Sequence, residues 1–375
     1  MMQANEPKLA ADQPNQGAVP FARRHGPALA SLRVATLACL WLKIPPTWAP
    51  EAYGTHYADY AADLGNMDPK LAYTWFGPWF AHQLGVRSHL GWLLFLYAAF
   101  FVGIAALYTA LHRRTDAPWL AAVGALVPVA STSGWFGTYL SGYPEWFLLG
   151  VLSLLLLTDS LVAWAILGSV AVWTHERSGF VLAVLPLLQC FVTPVPKRRV
   201  VLQYAVLLGV VLTFVLARGA FVRIDNPPFT FAFFWKEFRQ GSEFARIPLT
   251  MGHVVEVWWE AYKAYLLVVA ACLAWLLRLL IRSDGLEREQ RRSLVRFLVT
   301  FVGSCGMVTA QLLMAVDSTR LIDFLVFPFL ILFVVTHRHL GPHQRWLVRA
   351  LAAAALANEL LPVEFIGQHT RFPGR

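Results

Sequence analysis

The chain has 375 residues, of which 57% are hydrophobic and only 14% charged, and its mean hydropathy is +0.53. Globular proteins carry about 25% charged residues, so this composition excludes an ordinary soluble domain and implies a polytopic membrane protein. The formal net charge of +9 would suit nucleic acid in a soluble chain. In a membrane protein it reads instead as basic loops held in the cytoplasm, with no nucleic acid among the partners.

Taken in order, Met1–Pro27 is polar and carries Pro20 and the pair Arg23-Arg24. Its basic residues lie far from the start and no small-residue cleavage site follows, so it reads as a short disordered cytoplasmic tail and not a signal peptide. A bilayer core needs roughly 20 apolar residues per helix, and about eleven segments approach this. They are 28–46, 89–111, 117–132, 144–158, 160–174, 178–194, 200–218, 260–281, 294–315, 320–336 and 345–362. The expected fold is therefore all-α and polytopic, a bundle of about 10–11 transmembrane helices over residues 28–362.

The loops test this reading. His112-Arg113-Arg114, Lys197-Arg198-Arg199, the stretch 282–296 and His337-Arg338-His339 through Arg345 are strongly basic. With the N-terminus inside, each falls on the cytoplasmic side, as the positive-inside rule requires. One missed helix would break that agreement. The implied location is a bacterial inner (plasma) membrane with a cytoplasmic N-terminus. The spare residues then gather outside, in two long extracytoplasmic loops at 46–89 and 219–260. A short polar tail closes the chain at 363–375. No internal repeat and no soluble domain is legible. Cys39, Cys190, Cys272 and Cys305 fall inside apolar runs without metal-ligand spacing and are expected as free thiols.

The first external loop holds Asp59, Asp63 and Asp68. On a helix Asp59 and Asp63 share a face, and two neighbouring carboxylates can hold a divalent cation or supply a base. The alternative is a solvated helix at the membrane surface. The stretch Leu71–His82 repeats aromatics at near-helical spacing, as in an amphipathic helix lying in the interface. It would either guide an acyl or prenyl chain or simply anchor the loop. Tyr143-Pro144-Glu145 opens the fourth segment, where the helix dipole favours the acid. A substrate contact is the other reading.

His175-Glu176-Arg177 carries the sharpest signal, three adjacent polar side chains between two apolar runs. Such groups need a partner, water or a function. His can shuttle a proton near neutral pH and Arg can clamp a phosphate, whereas a capped turn with a local ion pair is the structural alternative. Asp317, Arg320 and Asp323 sit at the mouth of the tenth segment. Asp317 suits a helix cap, whereas Arg320 opposes the helix dipole unless an anion is held nearby. The fourth loop interleaves Phe229–Trp235 with Lys236, Arg239, Arg246, His253, Glu256 and Lys263. Sugar rings and lipid phosphate match that mixture, and so does interfacial snorkelling.

No Walker A loop, GxGxxG turn, HExxH or GxSxG occurs in a fitting context, which argues against an ATP-driven pump and the better-marked membrane hydrolases. An acidic first external loop, an amphipathic Trp/Pro stretch and charged clusters at later external helix ends together resemble the GT-C superfamily of integral membrane glycosyltransferases. That group includes protein O-mannosyltransferases and the aminoarabinose transferase of lipid A. The resemblance covers roughly residues 28–336 and lies in layout and scattered residues. It implies a GT-C-like helical bundle that moves a sugar from a polyprenyl-phosphate carrier to a glycan, lipid or protein acceptor on the extracytoplasmic face. It further implies that Asp59, with Asp63 second, acts as base or positions a divalent cation such as Mg or Mn. Arg177 and Arg320 would hold the carrier phosphate, and His175 and Glu176 would line the site. Many members have their two acids adjacent or one residue apart, whereas here they are four apart. Two other classes stay open: another handler of lipid-linked glycans (polymerase, ligase or flippase), and a transporter, which would need ionisable residues at the bilayer midplane.

Overall fold

The computed structural model describes residues 21–42, 52–66, 75–139, 142–192, 195–221, 251–282, 286–313, 322–365 and 370–372. Fifteen α-helices occur among them. The first half of the chain gives α1 Phe21–Trp41, α2 Ala52–Ala62, α3 Phe76–Gln83, α4 His89–Thr115, α5 Pro118–Ala125, α6 Thr132–Tyr139 and α7 Glu145–Leu155. It continues with α8 Leu161–Thr174, α9 Ser178–Gln189 and α10 Lys197–Phe221. After the stretch 222–250, which lies outside the described residues, come α11 Met251–Tyr262, α12 Ala264–Arg282, α13 Arg288–Thr309, α14 Val326–His339 and α15 Gln344–Leu360.

Local chemistry sets many of these limits. Ser88 caps α4 by accepting from the Gly91 N–H at 3.0 Å, and Asp116 ends it by turning left-handed at φ 50°. Pro118 supplies the first turn of α5, where its missing N–H is harmless. Glu287 and Gln290 form a reciprocal capping box at the start of α13.

Each expected apolar segment contains a helix. Four helices, His89–Thr115, Lys197–Ala217, Ala264–Arg282 and Arg288–Leu312, are long and apolar enough to cross a membrane by length and composition. Others are short: α7 has 11 residues, a rise of about 16 Å against a hydrocarbon core of about 30 Å. Leu40, Val162, Leu216, Leu267 and Val299 stand exposed on the outside of the bundle, as expected where the solvent is lipid.

The structure corrects several expectations. The tail expected over 1–27 overlaps α1 from Phe21, because Ala22, Arg23 and Arg24 are good helix formers. Residues 1–20 lie outside the described residues. The segment 117–132 is not one helix: α5 ends at Ala125 and turns lead to α6, which lies mostly between the expected segments 117–132 and 144–158. The loop expected over 219–260 ends in α11, whose buried His253, Val257 and Ala261 recur every four residues. The C-terminal tail carries two short antiparallel strands, β1 Val363–Phe365 and β2 Thr370–Phe372, with Val363 opposite Phe372. Cys272 and Cys305 are buried, and all four cysteines are free thiols.

The centre of the bundle is α14. Every residue from Val326 to His337 is buried, the pattern of a helix surrounded by protein on all sides. It packs against α4, α9, α12, α13 and α15. Beside it, α4 and α7 approach backbone to backbone. A Cβ on Gly103 would stand 3.0 Å from the Gly150 Cα, and one on Gly150 would stand 2.7 Å from the Ala99 carbonyl oxygen.

The basic loops converge on one end of the bundle. Arg338 donates to the carbonyls of Phe191 at 2.9 Å, Val192 at 2.7 Å and Arg114 at 3.0 Å. Arg114 donates to the Leu156 carbonyl beyond α7, and Arg199 to the Asp159 carbonyl before α8, its Nε at 2.9 Å. We call this the collar end and the opposite one the distal end. The tight α4–α7 crossing gives a direct test. Gly150→Leu should destabilise the detergent-solubilised protein by roughly 1–3 kcal/mol, the usual scale of overpacking. Gly209→Leu, where nothing lies within 4 Å, should leave the melting temperature unchanged. Equal melting temperatures for the two variants would contradict the packing.

Candidate functional site at the distal end

The site begins with a backbone constraint in α6. Gly134 folds back so closely that a Cβ would lie 2.0 Å from the Val129 carbonyl oxygen, and its N–H donates to Pro128 at 2.8 Å. Only glycine fits there. The turn presents Ser133, whose hydroxyl donates to the Asp323 carboxylate and whose carbonyl accepts the Trp146 indole N–H at 2.8 Å. Asp323 is 2% exposed and Glu145 5% exposed, and their carboxyls lie close enough for their charges to interact. Two acids expected from sequence in separate loops are thus brought together, from the short 3-10 turn before α14 and the first turn of α7.

A second polar group closes the same end. The Tyr262 hydroxyl donates to the carbonyls of Asp323 and, at 3.1 Å, Ile322. Lys263 is 2% exposed. Its ammonium lies 2.6 Å from Glu260 and 5.6 Å from the centre of the Trp135 ring. From sequence Lys263 belonged to a long loop suited to lipid phosphate and sugar rings or to interfacial snorkelling. It is buried because Glu260 and an indole face replace water around its charge. Asn358 accepts from the Ala264 N–H at 2.8 Å and donates to Ala130 at 2.7 Å and Tyr262 at 3.0 Å. Sequence reading missed Ser133, Tyr262 and Asn358, whose side-chain partners lie 60 to 228 residues away along the chain. The Ser131-Thr132-Ser133 run beside a glycine was their one local sign.

Asp59 and Asp63 do not form a pair. Asp59 meets the Nε2 of His89 at 2.6 Å, and both side chains are 44% exposed. Asp63 lies beyond the last turn of α2 and accepts from the Gly65 N–H at 2.9 Å, a local turn that accounts for its position. Among the described residues no group of three or more His, Cys, Asp or Glu converges to hold a metal. Asp59 and Asp63 thus take different partners. Asp68 and the pair Asp317 and Arg320 lie outside the described residues.

The remaining candidates share this end. Tyr143 is buried with its ring 6.1 Å from Tyr57 of α2, and the Trp92 indole donates to Gly142 at 2.7 Å. The amphipathic stretch forms α3, tied to α2 by the His82 Nδ1 at 2.8 Å from the Ala61 carbonyl. At its start Trp75 lies 5.8 Å from Trp173, and a Cβ on Gly77 would touch both Thr174 and Pro144. The His175 turn therefore stands beside the entrance to α7. His175 is buried, and its Nδ1 lies 3.4 Å from the Glu176 carboxylate and 3.4 Å from the Arg177 N–H.

Burial alone would raise the Glu176 carboxyl, but the His175 ring and the Arg177 guanidinium outweigh it and hold the group at about 2. The folded value lies below the ordinary 4.5. The resulting stability is present above pH 4.5 and is lost as the pH falls toward 2. Glu176→Gln should accordingly flatten the fall in melting temperature across that interval. Parallel profiles for the two proteins would show that the turn stores no such energy.

No protein-family model, no curated protein and no solved structure matches this chain.

Proposed function

We propose that the protein is an integral membrane glycosyltransferase that uses a polyprenyl-phosphate-linked sugar on the extracytoplasmic face. The observation that carries this reading is the sorting of charge between the two ends. Arginines crowd the collar end, whereas the Asp59–His89 pair, the buried Glu145 and Asp323 and the aromatic helix α3 share the distal end. A basic collar facing the cytoplasm puts the acids at the outer leaflet, where lipid-linked sugars meet their acceptors.

In this reading His89, oriented by Asp59, takes the proton of an acceptor hydroxyl. The freed oxygen attacks the anomeric carbon, and the bond from that carbon to the carrier phosphate breaks. The leaving phosphate keeps the electron pair and meets Arg177, with Arg320 assigned to the same task from sequence alone. Ser133, Glu145 and Asp323 offer acceptors and a donor for sugar hydroxyls at the buried side. The aromatic surface of Trp75, Phe76, Trp79 and Phe80 supplies an apolar track for the prenyl chain.

The test is sugar transfer from radiolabelled polyprenyl-phosphate donors by the purified full-length protein. Asp59→Asn and His89→Ala should each lower turnover by about 10²–10⁴, the usual worth of positioned acid–base catalysis. Glu289→Gln, exposed at the collar end beside Arg292, should transfer at the wild-type rate. Undiminished transfer by both distal variants would refute the assignment. Activity with oligosaccharide carriers but not monosaccharide carriers would favour a polymerase or ligase instead.

A further inference from the structure

A cavity of about 170 Å³ opens at the collar end, between the last turn of α14, the first turns of α13 and the residues after α9. Its lining divides in two. Phe191 and Phe297 make an apolar floor, their rings 5.2 Å apart, whereas Arg338, His339, Gln290 and Ser293 supply polar groups. Among the described residues no carboxylate lines it.

The polar groups have donors to spare. A guanidinium carries five N–H groups, and Arg338 commits three bonds to the carbonyls of Phe191, Val192 and Arg114. The Gln290 carbonyl oxygen accepts from the Glu287 N–H at 3.1 Å, so its amide NH₂ points its chemistry elsewhere. Ser293 adds a hydroxyl from the next turn of the same helix face. Outside the lining, the same turns of α13 carry Arg288, Arg291, Arg292 and Arg296 with Glu287 and Glu289, and Arg292 already neutralises Glu289 at 2.9 Å. Arg113 and Arg114 lie at the end of α4.

The Arg338 guanidinium and its neighbouring donors over an aromatic floor, at the end of α13 with its exposed Val299 and Val302, fit a molecule with an anionic head and an apolar body. We propose that this cavity binds the phosphate of an anionic phospholipid in the leaflet facing the collar. Basic pockets between membrane helices recognise such headgroups through charge-assisted hydrogen bonds. The site is separate from the distal end, so its failure and that of the glycosyltransferase reading are independent.

Native mass spectrometry of the full-length protein, titrated with phosphatidylglycerol or phosphatidylcholine, tests the proposal. Phosphatidylglycerol should bind at least tenfold more tightly. Because Arg338→Ala removes ties between helices and can unfold the bundle, Ser293→Asp carries the test. It puts a carboxylate on the exposed rim and should abolish the preference, whereas Ser293→Ala should keep most of it. The melting temperature in phosphatidylcholine should be the same for all three proteins. Equal binding of the two lipids, or an undiminished preference in Ser293→Asp, would overturn the proposal. Displacement of phosphatidylglycerol by inorganic phosphate at equal concentration would assign the cavity to a soluble phosphate and overturn the lipid assignment.

Discussion

A helix buried on every side from Val326 to His337 depends on its neighbours for order at its ends, and α14 is such a helix. Both ends are therefore built around it. At one end Arg338 reaches across to carbonyls that follow α9 and close α4. At the other, Tyr262 covers the carbonyls of Ile322 and Asp323 while Ser133 satisfies the Asp323 side chain. The surrounding helices are positioned by these two sets of bonds as well as by apolar contact. In lipid the apolar contact alone discriminates weakly, because acyl chains are as apolar as leucine.

The arginines of the collar thus have two tasks. Their charge suits the cytoplasmic side of a membrane, and their guanidinium groups also serve helix ends. The last carbonyls of a helix lack intrahelical partners. Arg114 and Arg338 take up carbonyls where the short α7 and α9 and the long α4 stop. Lysine would supply the same charge, but its single ammonium could not reach several diverging carbonyls from one position.

Much of the helical plan was legible because apolar length and basic punctuation are local properties. Every apolar segment contains a helix, and the basic stretches at 112–114, 197–199, 286–296 and 337–345 all belong to one end. What was illegible depends on contacts between distant residues. Asp59 and Asp63 satisfy the i, i+4 rule on paper, yet α2 stops at Ala62 and the two acids take different partners. Glu145 looked sufficiently explained by its helix dipole, and nothing local brings it to Asp323. His89 read as the first residue of a span, when it is also the partner of an acid 30 residues earlier. The break after Ala125 was hidden because Leu126 through Ala130 remain apolar while the chain turns.

Lys263 has a further consequence. It joins α11 to α12 with a left-handed backbone at φ 42°, a conformation that disfavours a lysine by roughly 1–2 kcal/mol. Its ammonium, the Glu260 carboxylate and the three bonds of Asn358 hold it there. A joint fastened on both sides cannot act as a pivot. The amphipathic α11 is therefore a fixed sill, and α6, α11, α12 and α15 turn as one block or not at all. Any movement that opens the distal end has to swing on some other hinge.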